Sequence, residues 1–108
     1  MTEVLESLAV GQAWEGDERI VLFVRLAEGL RLDAALRRRI ADRIRRETTP
    51  RHVPARIVQV EDLPRTKSGK IVEIAVRHVI HGREVRNLEA LANPAALDFF
   101  RNLPELQS

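Results

Sequence analysis

The two lysines of this chain lie three residues apart, in a segment rich in turn-forming residues. The chain has 108 residues and 18 basic side chains, of which only Lys67 and Lys70 are lysines. A lysine ammonium is a compact charge on a long stem, which suits it to contact carboxylate and phosphate oxygens. Both lysines lie in the sequence EDLPRTKSGK, residues 61–70. This pattern indicates chemistry with anions at one loop.

The Gly69-Lys70 pair is typical of nucleotide-binding loops, but the surrounding residues exclude the commonest type. A P-loop needs a glycine five residues before Gly69 and a hydroxyl side chain directly after the lysine. Pro64 and Ile71 occupy those two positions. On residue type alone, Lys70 would be interpreted as an exposed loop lysine without a role.

The residue order of the whole loop resembles the C-terminal motif of the adenylate-forming acyl-CoA synthetases. That motif is written Pro-basic-Thr-x-Ser-Gly-Lys, and its six named positions are filled by Pro64, Arg65, Thr66, Ser68, Gly69 and Lys70. The resemblance implies that Lys70 is a catalytic lysine and that the residues between Pro64 and Lys70 support the loop. In that role Gly69 permits a tight turn, at positive φ if required.

The remaining loop residues have weaker assignments. Arg65 could support the loop or face a phosphate, and the sequence favours neither. Lys67 occupies the unspecified position of the motif and is predicted to be a solvated loop lysine. Thr66 and Ser68 are predicted to form local bonds from side chain to backbone that shape the turn.

The residues after the motif resemble one group within that family, the acetoacetyl-CoA synthetases. The resemblance lies in Ile71–Val76, in Gly82 and in Asn93-Pro94 followed by residues 97–100. Acetyl-CoA synthetases typically have more basic residues after the lysine, where Glu73 stands here. The tail therefore indicates acetoacetate as the acid.

The resemblance also implies a reaction, substrates and a partner. The chain would be a single C-terminal lid domain, residues 1–108, of an ATP-dependent acid–CoA ligase of lipid metabolism. Its substrates would be a small carboxylic acid, ATP with Mg²⁺, and CoA, bound mainly by a large adenylation domain of the same polypeptide. That domain is absent from these 108 residues, so we expect the chain alone to bind no cofactor and to be inactive.

The resemblance assigns part of the CoA site to an arginine near the end of the helix before the motif. Counting back from Lys70 places Arg45 there, and Arg46 and Arg51 lie close enough to compete for the role. The alternative is a surface arginine paired with Asp42. This part of the chain is strongly basic: residues 31–60 hold nine arginines and three acidic residues, which could attract an anionic ligand.

The elements that must position the loop follow from hydrophobic periodicity and turn residues. We predict strands over 4–12, 19–27 and 55–60, and helices over 34–47, 71–81 and 95–103. The first two strands should form a hairpin, and the second has apolar residues on both faces, as in a central strand. Asp33 and Asn93 are predicted helix caps, and Gly82 a helix stop. The order β-β-α-β-α-α predicts an α+β domain with a small antiparallel sheet packed by helices.

Composition bounds the remaining function classes. With 44% hydrophobic and 31% charged residues the chain is typical of a globular domain. It lacks cysteine, a membrane-length apolar run and a basic leader before its first apolar segment, so we expect a cytoplasmic protein without membrane contact. The net charge of +2, with one Trp and no Tyr, argues against nucleic acid. A stand-alone regulatory or interaction module with the same fold remains the alternative to a ligase domain.

Three histidines are the only candidate metal ligands that are not carboxylates. His78 and His81 are three residues apart on one predicted helix, and His52 lies in a proline-bounded loop. With no cysteine and no matched carboxylate cluster, we expect no metal site.

Overall fold

A long antiparallel hairpin forms one side of the domain. A computed structural model describes residues 2–47, 53–86 and 88–107. Strand β1, Val4–Trp14, pairs with strand β2, Asp17–Leu26, and the Trp14↔Asp17 pair closes the hairpin. Glu15 and Gly16 have φ of +50° and +78°, as the favoured two-residue hairpin turns require. The predicted hairpin is confirmed, with strands that extend further toward the turn.

The third strand runs parallel to the second. Helix α1, Ala34–Glu47, follows β2 and is followed by strand β3, Arg56–Gln59. The pairs from Val21↔Arg56 to Val24↔Gln59 are parallel. The sheet, in the order β1-β2-β3, is therefore mixed, and the prediction of a purely antiparallel sheet was wrong. The reason is the connection: a helix that crosses the sheet returns the chain to the end where β2 began, so β3 must run the same way.

Both faces of β2 are buried, which confirms its prediction as a central strand. On one face, a cluster of α1 and sheet residues forms from Val24, Leu26, Leu36, Ile40 and Ile57. On the other face, Val21 and Phe23 are fully buried against the C-terminal half of the chain. We call these the α1-face and α2-face cores. Two cores separated by one sheet make a three-layer α+β domain.

Helix α1 begins as predicted. The Asp33 carboxylate Oδ1 accepts the N–H of Leu36 at 2.7 Å, which satisfies one of the donors that a helix start leaves free. Leu36 and Ile40 are buried and Ile44 is half-buried, so the predicted apolar stripe faces the sheet.

Helix α2, Glu73–Ile80, lies on the opposite face; His81 is its C-cap and Gly82 follows. Gly82 has φ of +70°; its N–H donates to Val79 O at 3.0 Å, and the N–H of Arg83 donates to His78 O at 2.8 Å. This pair of bonds is the Schellman cap, which needs a left-handed residue. The prediction of Gly82 as helix stop is confirmed.

The predicted last helix is a 3₁₀ helix, Pro94–Phe100, with shorter 3₁₀ turns at Leu88–Ala90 and Pro104–Leu106. Leu97 and Phe100 are 1% exposed, and three residues per turn place both on the same side. Phe100 packs edge-on against Phe23, with ring centroids 4.8 Å apart. The order is thus β-β-α-β-α followed by 3₁₀ segments. Among the described residues, no helix is long and apolar enough to cross a membrane.

Candidate functional site

Residues 66–70 form a tight hairpin that closes on its own backbone. The Thr66 N–H donates to Lys70 O at 2.8 Å, and the Gly69 N–H donates to Thr66 O at 2.9 Å. Gly69 has φ of +93°. A three-residue connection with a left-handed glycine before the return strand is a common hairpin geometry. We call residues 66–70 the lysine hairpin.

Two hydroxyl groups reinforce this turn. Thr66 Oγ1 accepts the N–H of Lys70 at 3.2 Å, so the local bond predicted for Thr66 is present. Ser68 differs from its prediction, because its hydroxyl contacts the Thr66 hydroxyl at 2.9 Å rather than the backbone. The backbone at Lys70 is therefore fixed from both ends of the hairpin.

The Lys70 side chain lies in solvent. Lys70 is exposed, and within the described part of the chain its ammonium has no hydrogen bond or ion pair. Lys67, at the tip of the same hairpin, is exposed as well, as predicted. An ordered backbone that carries a solvated cation can present that cation to an anion on another body without first breaking a bond.

The Arg65 side chain turns away from Lys70 and joins the sheet. Its guanidinium forms an ion pair with Glu6 on β1, and Arg25 on β2 contacts the same carboxylate at 2.8 Å. The hydrogen bond from Arg65 is the main cause that lowers the pKa of Glu6, and the hydrogen bond to Glu6 raises the pKa of Arg65. Of the two alternatives for Arg65, this geometry favours support of the loop.

Asn93 contacts the loop, a role that the sequence did not indicate. Asn93 Oδ1 accepts the backbone N–H of Arg65 at 2.8 Å, and Nδ2 donates to Asp62 Oδ2 and to Leu63 O, both at 2.9 Å. Asn93 stands at the N-cap position of the 3₁₀ helix, but its side chain makes no cap bond. The prediction of a capping side chain was wrong because the loop 28 residues earlier offers it three partners.

The arginines proposed for CoA lie elsewhere. Arg45 and Arg46 are both exposed in the last turn of α1, and Arg45 contacts Asp42 at 3.2 Å. Arg51 and His52 lie outside the described residues. Helix α1 packs on the α1-face core, whereas Leu63 and Ile71, which flank the lysine hairpin, pack into the α2-face core. The chain therefore places Lys70 and the arginine pair on opposite sides of the sheet.

His78 lies in α2, and His81 is the residue that follows this helix. His81 Nε2 accepts the N–H of Ala13 at 2.9 Å, which leaves Nδ1 to donate to Arg77 O at 2.7 Å. Both ring nitrogens are therefore engaged with backbone. In residues 2–47, 53–86 and 88–107, no three His, Cys, Asp or Glu side chains gather as metal ligands would. His81 joins the end of α2 to β1 and is structural.

Comparison with known proteins places this geometry in a family. The AMP-binding enzyme C-terminal domain model matches residues 1–70. The acetoacetyl-coenzyme A synthetase of Rhizobium meliloti (strain 1021) is 64% identical over the full chain, and the acetoacetyl-CoA synthetase of Xenopus tropicalis is 48% identical over 98% of it. The chain spans 17% and 16% of these two relatives. It therefore corresponds to a small part of them.

Solved structures of CoA ligases are also similar to this chain. The acetoacetyl-CoA synthetase from Streptomyces lividans matches all of this chain and 17% of its own, with a TM-score of 0.85 and 34% identity. A benzoate CoA ligase from Burkholderia xenovorans LB400 covers only 71% of this chain and 16% of its own, with a TM-score of 0.65 and 30% identity. The resemblance of the tail to acetoacetyl-CoA synthetases is thus confirmed. On its motif, its fold and these matches, the chain belongs to the AMP-binding enzyme C-terminal domain family.

Proposed function

We propose that this chain is the mobile C-terminal domain of an ATP-dependent acid–CoA ligase, and that Lys70 is the lysine that assists adenylation. The observation that carries the proposal is the solvated Lys70 ammonium on a hairpin whose backbone is closed by its own hydrogen bonds. A large adenylation domain of the same polypeptide would hold the acid and ATP. This chain makes up only 17% and 16% of the two matched relatives, so the rest of those proteins leaves room for such a domain.

In the first half-reaction, a carboxylate oxygen of the acid attacks the α-phosphorus of MgATP. The bond from that phosphorus to the bridging oxygen breaks, pyrophosphate leaves, and an acyl-adenylate forms. Two anions must approach each other, so a fixed cation between them lowers the barrier, most of all where water is excluded. An ammonium on a four-carbon stem suits this task because it can contact a carboxylate oxygen and a phosphate oxygen at once.

In the second half-reaction, the CoA sulfur attacks the acyl carbon and AMP leaves, while the thiol proton passes to solvent. We assign the CoA phosphates to Arg46 and Arg45, which are exposed at the end of α1. These arginines and Lys70 lie on opposite sides of the sheet, so one orientation of the domain cannot present both to one active site. Rotation of the domain between the two steps would exchange the lysine for the arginines.

We propose acetoacetate as the acid. The support is that relatives matching 97% or more of this chain are acetoacetyl-CoA synthetases. The acid pocket belongs to the large domain, so this chain bears on the acid only through that similarity. We propose that the protein acts in the cytoplasm, where ATP and CoA are both available.

The test is a chimera in which this chain replaces the matching segment of the Rhizobium meliloti protein. With acetoacetate, MgATP and CoA, we expect thioester formation within about tenfold of the parent rate, whereas the 108 residues alone should form neither adenylate nor thioester. A folded but inactive chimera would contradict the proposal and favour a stand-alone interaction module. Turnover by the isolated chain would contradict the assignment of ATP to another domain.

A further inference from the structure

The segment 91–93 runs beside the base of the lysine hairpin and is joined to it by an isolated β-bridge. The N–H of Ala92 donates to Arg65 O at 2.8 Å, and Thr66 and Leu91 form an antiparallel bridge. On its other side Arg65 is bridged to Ile71. The base of the hairpin is thus held between its own return strand and a segment that follows some 20 residues later.

Asn93 completes this contact with its side chain. Its amide accepts from the N–H of Arg65, so the backbone of that residue is bonded on both its N–H and its C=O by consecutive tail residues. The same amide donates to the Asp62 carboxylate and to Leu63 O. Every bond that Asn93 makes to the loop lies before the hairpin, at the point where the hairpin leaves the core.

We propose that Asn93 is a positioning residue that sets the direction in which the lysine hairpin projects and thereby places Lys70 for adenylation. The inference rests on the proposed function for its effect on rate. The hairpin itself is closed by bonds among Thr66, Gly69 and Lys70, so it moves as a unit. The direction of the hairpin is therefore set at its base. Arg65 lies at that base, and Ala92 and Asn93 bond to its backbone.

Ala92 and Asn93 lie outside the part of the chain that matches the family model, which ends at residue 70. The acetoacetyl-CoA synthetase from Streptomyces lividans covers the whole chain, whereas the benzoate CoA ligase covers 71% of it. Ala92 and Asn93, which hold the base of the hairpin, therefore belong to a segment that the family model does not include.

The first test uses the 108-residue chain and requires no activity. Asn93→Ala should speed amide hydrogen exchange at residues 65–66 by about tenfold, because the Arg65 N–H loses its acceptor. The matched control is Asp98→Ala, which removes an exposed ion pair to Arg101 in the same 3₁₀ helix without touching the loop. Exchange at Val21 and Phe23 in the core should be unchanged in both variants.

The second test uses the chimera described above. Asn93→Ala should lower kcat for adenylation by roughly 10- to 100-fold, since small misplacements of a catalytic group cost about that much. KM for acetoacetate and ATP should change less than about twofold, and thioester formation from preformed acyl-adenylate should stay at the wild-type rate. A general loss of folding would lower both half-reactions together.

Substitutions at positions 62 and 93 together allow a rescue experiment, which Asn93→Ala alone does not. Asn93→Asp places a second carboxylate 2.9 Å from that of Asp62 and should loosen the base at least as much as Asn93→Ala. Asp62→Asn combined with Asn93→Asp restores a donor opposite an acceptor between these two side chains, although Leu63 O loses its donor. The double variant should therefore recover part of the exchange protection and adenylation rate that Asn93→Asp loses.

Three outcomes would overturn the proposal: exchange at residues 65–66 in Asn93→Ala equal to that in Asp98→Ala, equal loss of both half-reactions, or no recovery in the double variant. If the chimera with the unmodified chain is inactive, the proposed function fails. The exchange experiment still decides whether Asn93 holds the hairpin.

Discussion

Glu6 on the first strand and Arg65 at the base of the lysine hairpin form an ion pair across 59 residues of sequence. Both side chains are partly shielded, at 20% and 26% exposure, and Arg25 contacts the same carboxylate. An aligned, partly buried pair with two donors on one carboxylate contributes more than an isolated surface pair. This cluster joins the base of the lysine hairpin to the sheet, and Asn93 contacts the same residue through its backbone.

The ion pair predicts a specific dependence of stability on pH. The pKa of Glu6 is lowered from its ordinary value of 4.5, first by the hydrogen bond from Arg65. A group whose folded pKa is depressed stabilises the fold above its unfolded pKa and loses that contribution as pH falls through the folded pKa. Glu6→Gln should therefore lower the free energy of unfolding by about 1–2 kcal/mol at pH 7, and by less as pH falls below 4.5.

Urea denaturation of the wild type and of Glu6→Gln between pH 7 and pH 3 measures the difference in their free energies of unfolding. Glu18→Gln is the control, because Glu18 pairs with Arg77 at 3.0 Å but both side chains are about half exposed. Its effect should stay below about 0.5 kcal/mol throughout. A Glu6→Gln difference that grew on acidification would contradict the assigned sign.

Much of the fold was predictable because periodicity and caps act locally. The bounds of α1, its cap at Asp33 and the stop of α2 at Gly82 all follow from residues within a few positions of each element. The direction of β3 was predicted wrongly, since pairing depends on the connection rather than on the strand. The 3₁₀ geometry of Pro94–Phe100 was missed because helical periodicities of 3.0 and 3.6 are hard to distinguish over seven residues.

The site was predictable only where it is contiguous. The motif predicted a tight glycine turn next to Lys70, and the structure shows that turn as one hairpin. The catalytic role of Lys70 stays a prediction. The partners of Arg65, which are Glu6 and Asn93, lie 59 and 28 residues away. A single sequence carries no signal for such a distant bond, and Asn-Pro has a sufficient local explanation as a helix start.

Gly69 provides a test of turn geometry apart from packing. A Cβ at Gly69 would meet nothing within 4 Å, so Gly69→Ala costs only the left-handed backbone at φ of +93°, about 1–2 kcal/mol. Gly16→Ala is matched, with φ of +78° and equally open space. Both variants should lose similar stability in urea, but only Gly69→Ala should slow adenylation in the chimera. Equal activity of the two would argue against a functional turn.

The CoA assignment predicts a change in one half-reaction alone. Arg46→Ala and Arg45→Ala should each raise KM for CoA by up to about tenfold, the equivalent of one charge-assisted hydrogen bond. The contact of Arg45 with Asp42 is about half exposed at both ends, so it does not withhold the guanidinium from a ligand. Adenylation should be unaffected.

Arg38→Ala is the matched control, since Arg38 is an exposed arginine nearer the start of the same helix. If all three variants shift KM for CoA equally, the shift comes from the overall positive charge of α1 rather than from one arginine. A specific site then lies elsewhere.

The role of Lys70 is tested by comparing its substitution with that of Lys67. Lys70→Ala in the chimera should lower the adenylation rate by about 10²- to 10³-fold, the typical cost of removing one group that stabilises transition-state charge. Thioester formation from preformed acyl-adenylate should change less than about threefold, because the proposed rotation would withdraw the lysine in that step. Lys67→Ala removes the same charge from an equally exposed position in the same hairpin and should leave both rates near wild type. Because neither ammonium is bonded within the described residues, the two variants should unfold at the same urea concentration. Equal rate losses in both would mean that net charge, rather than the position of one ammonium, drives the reaction.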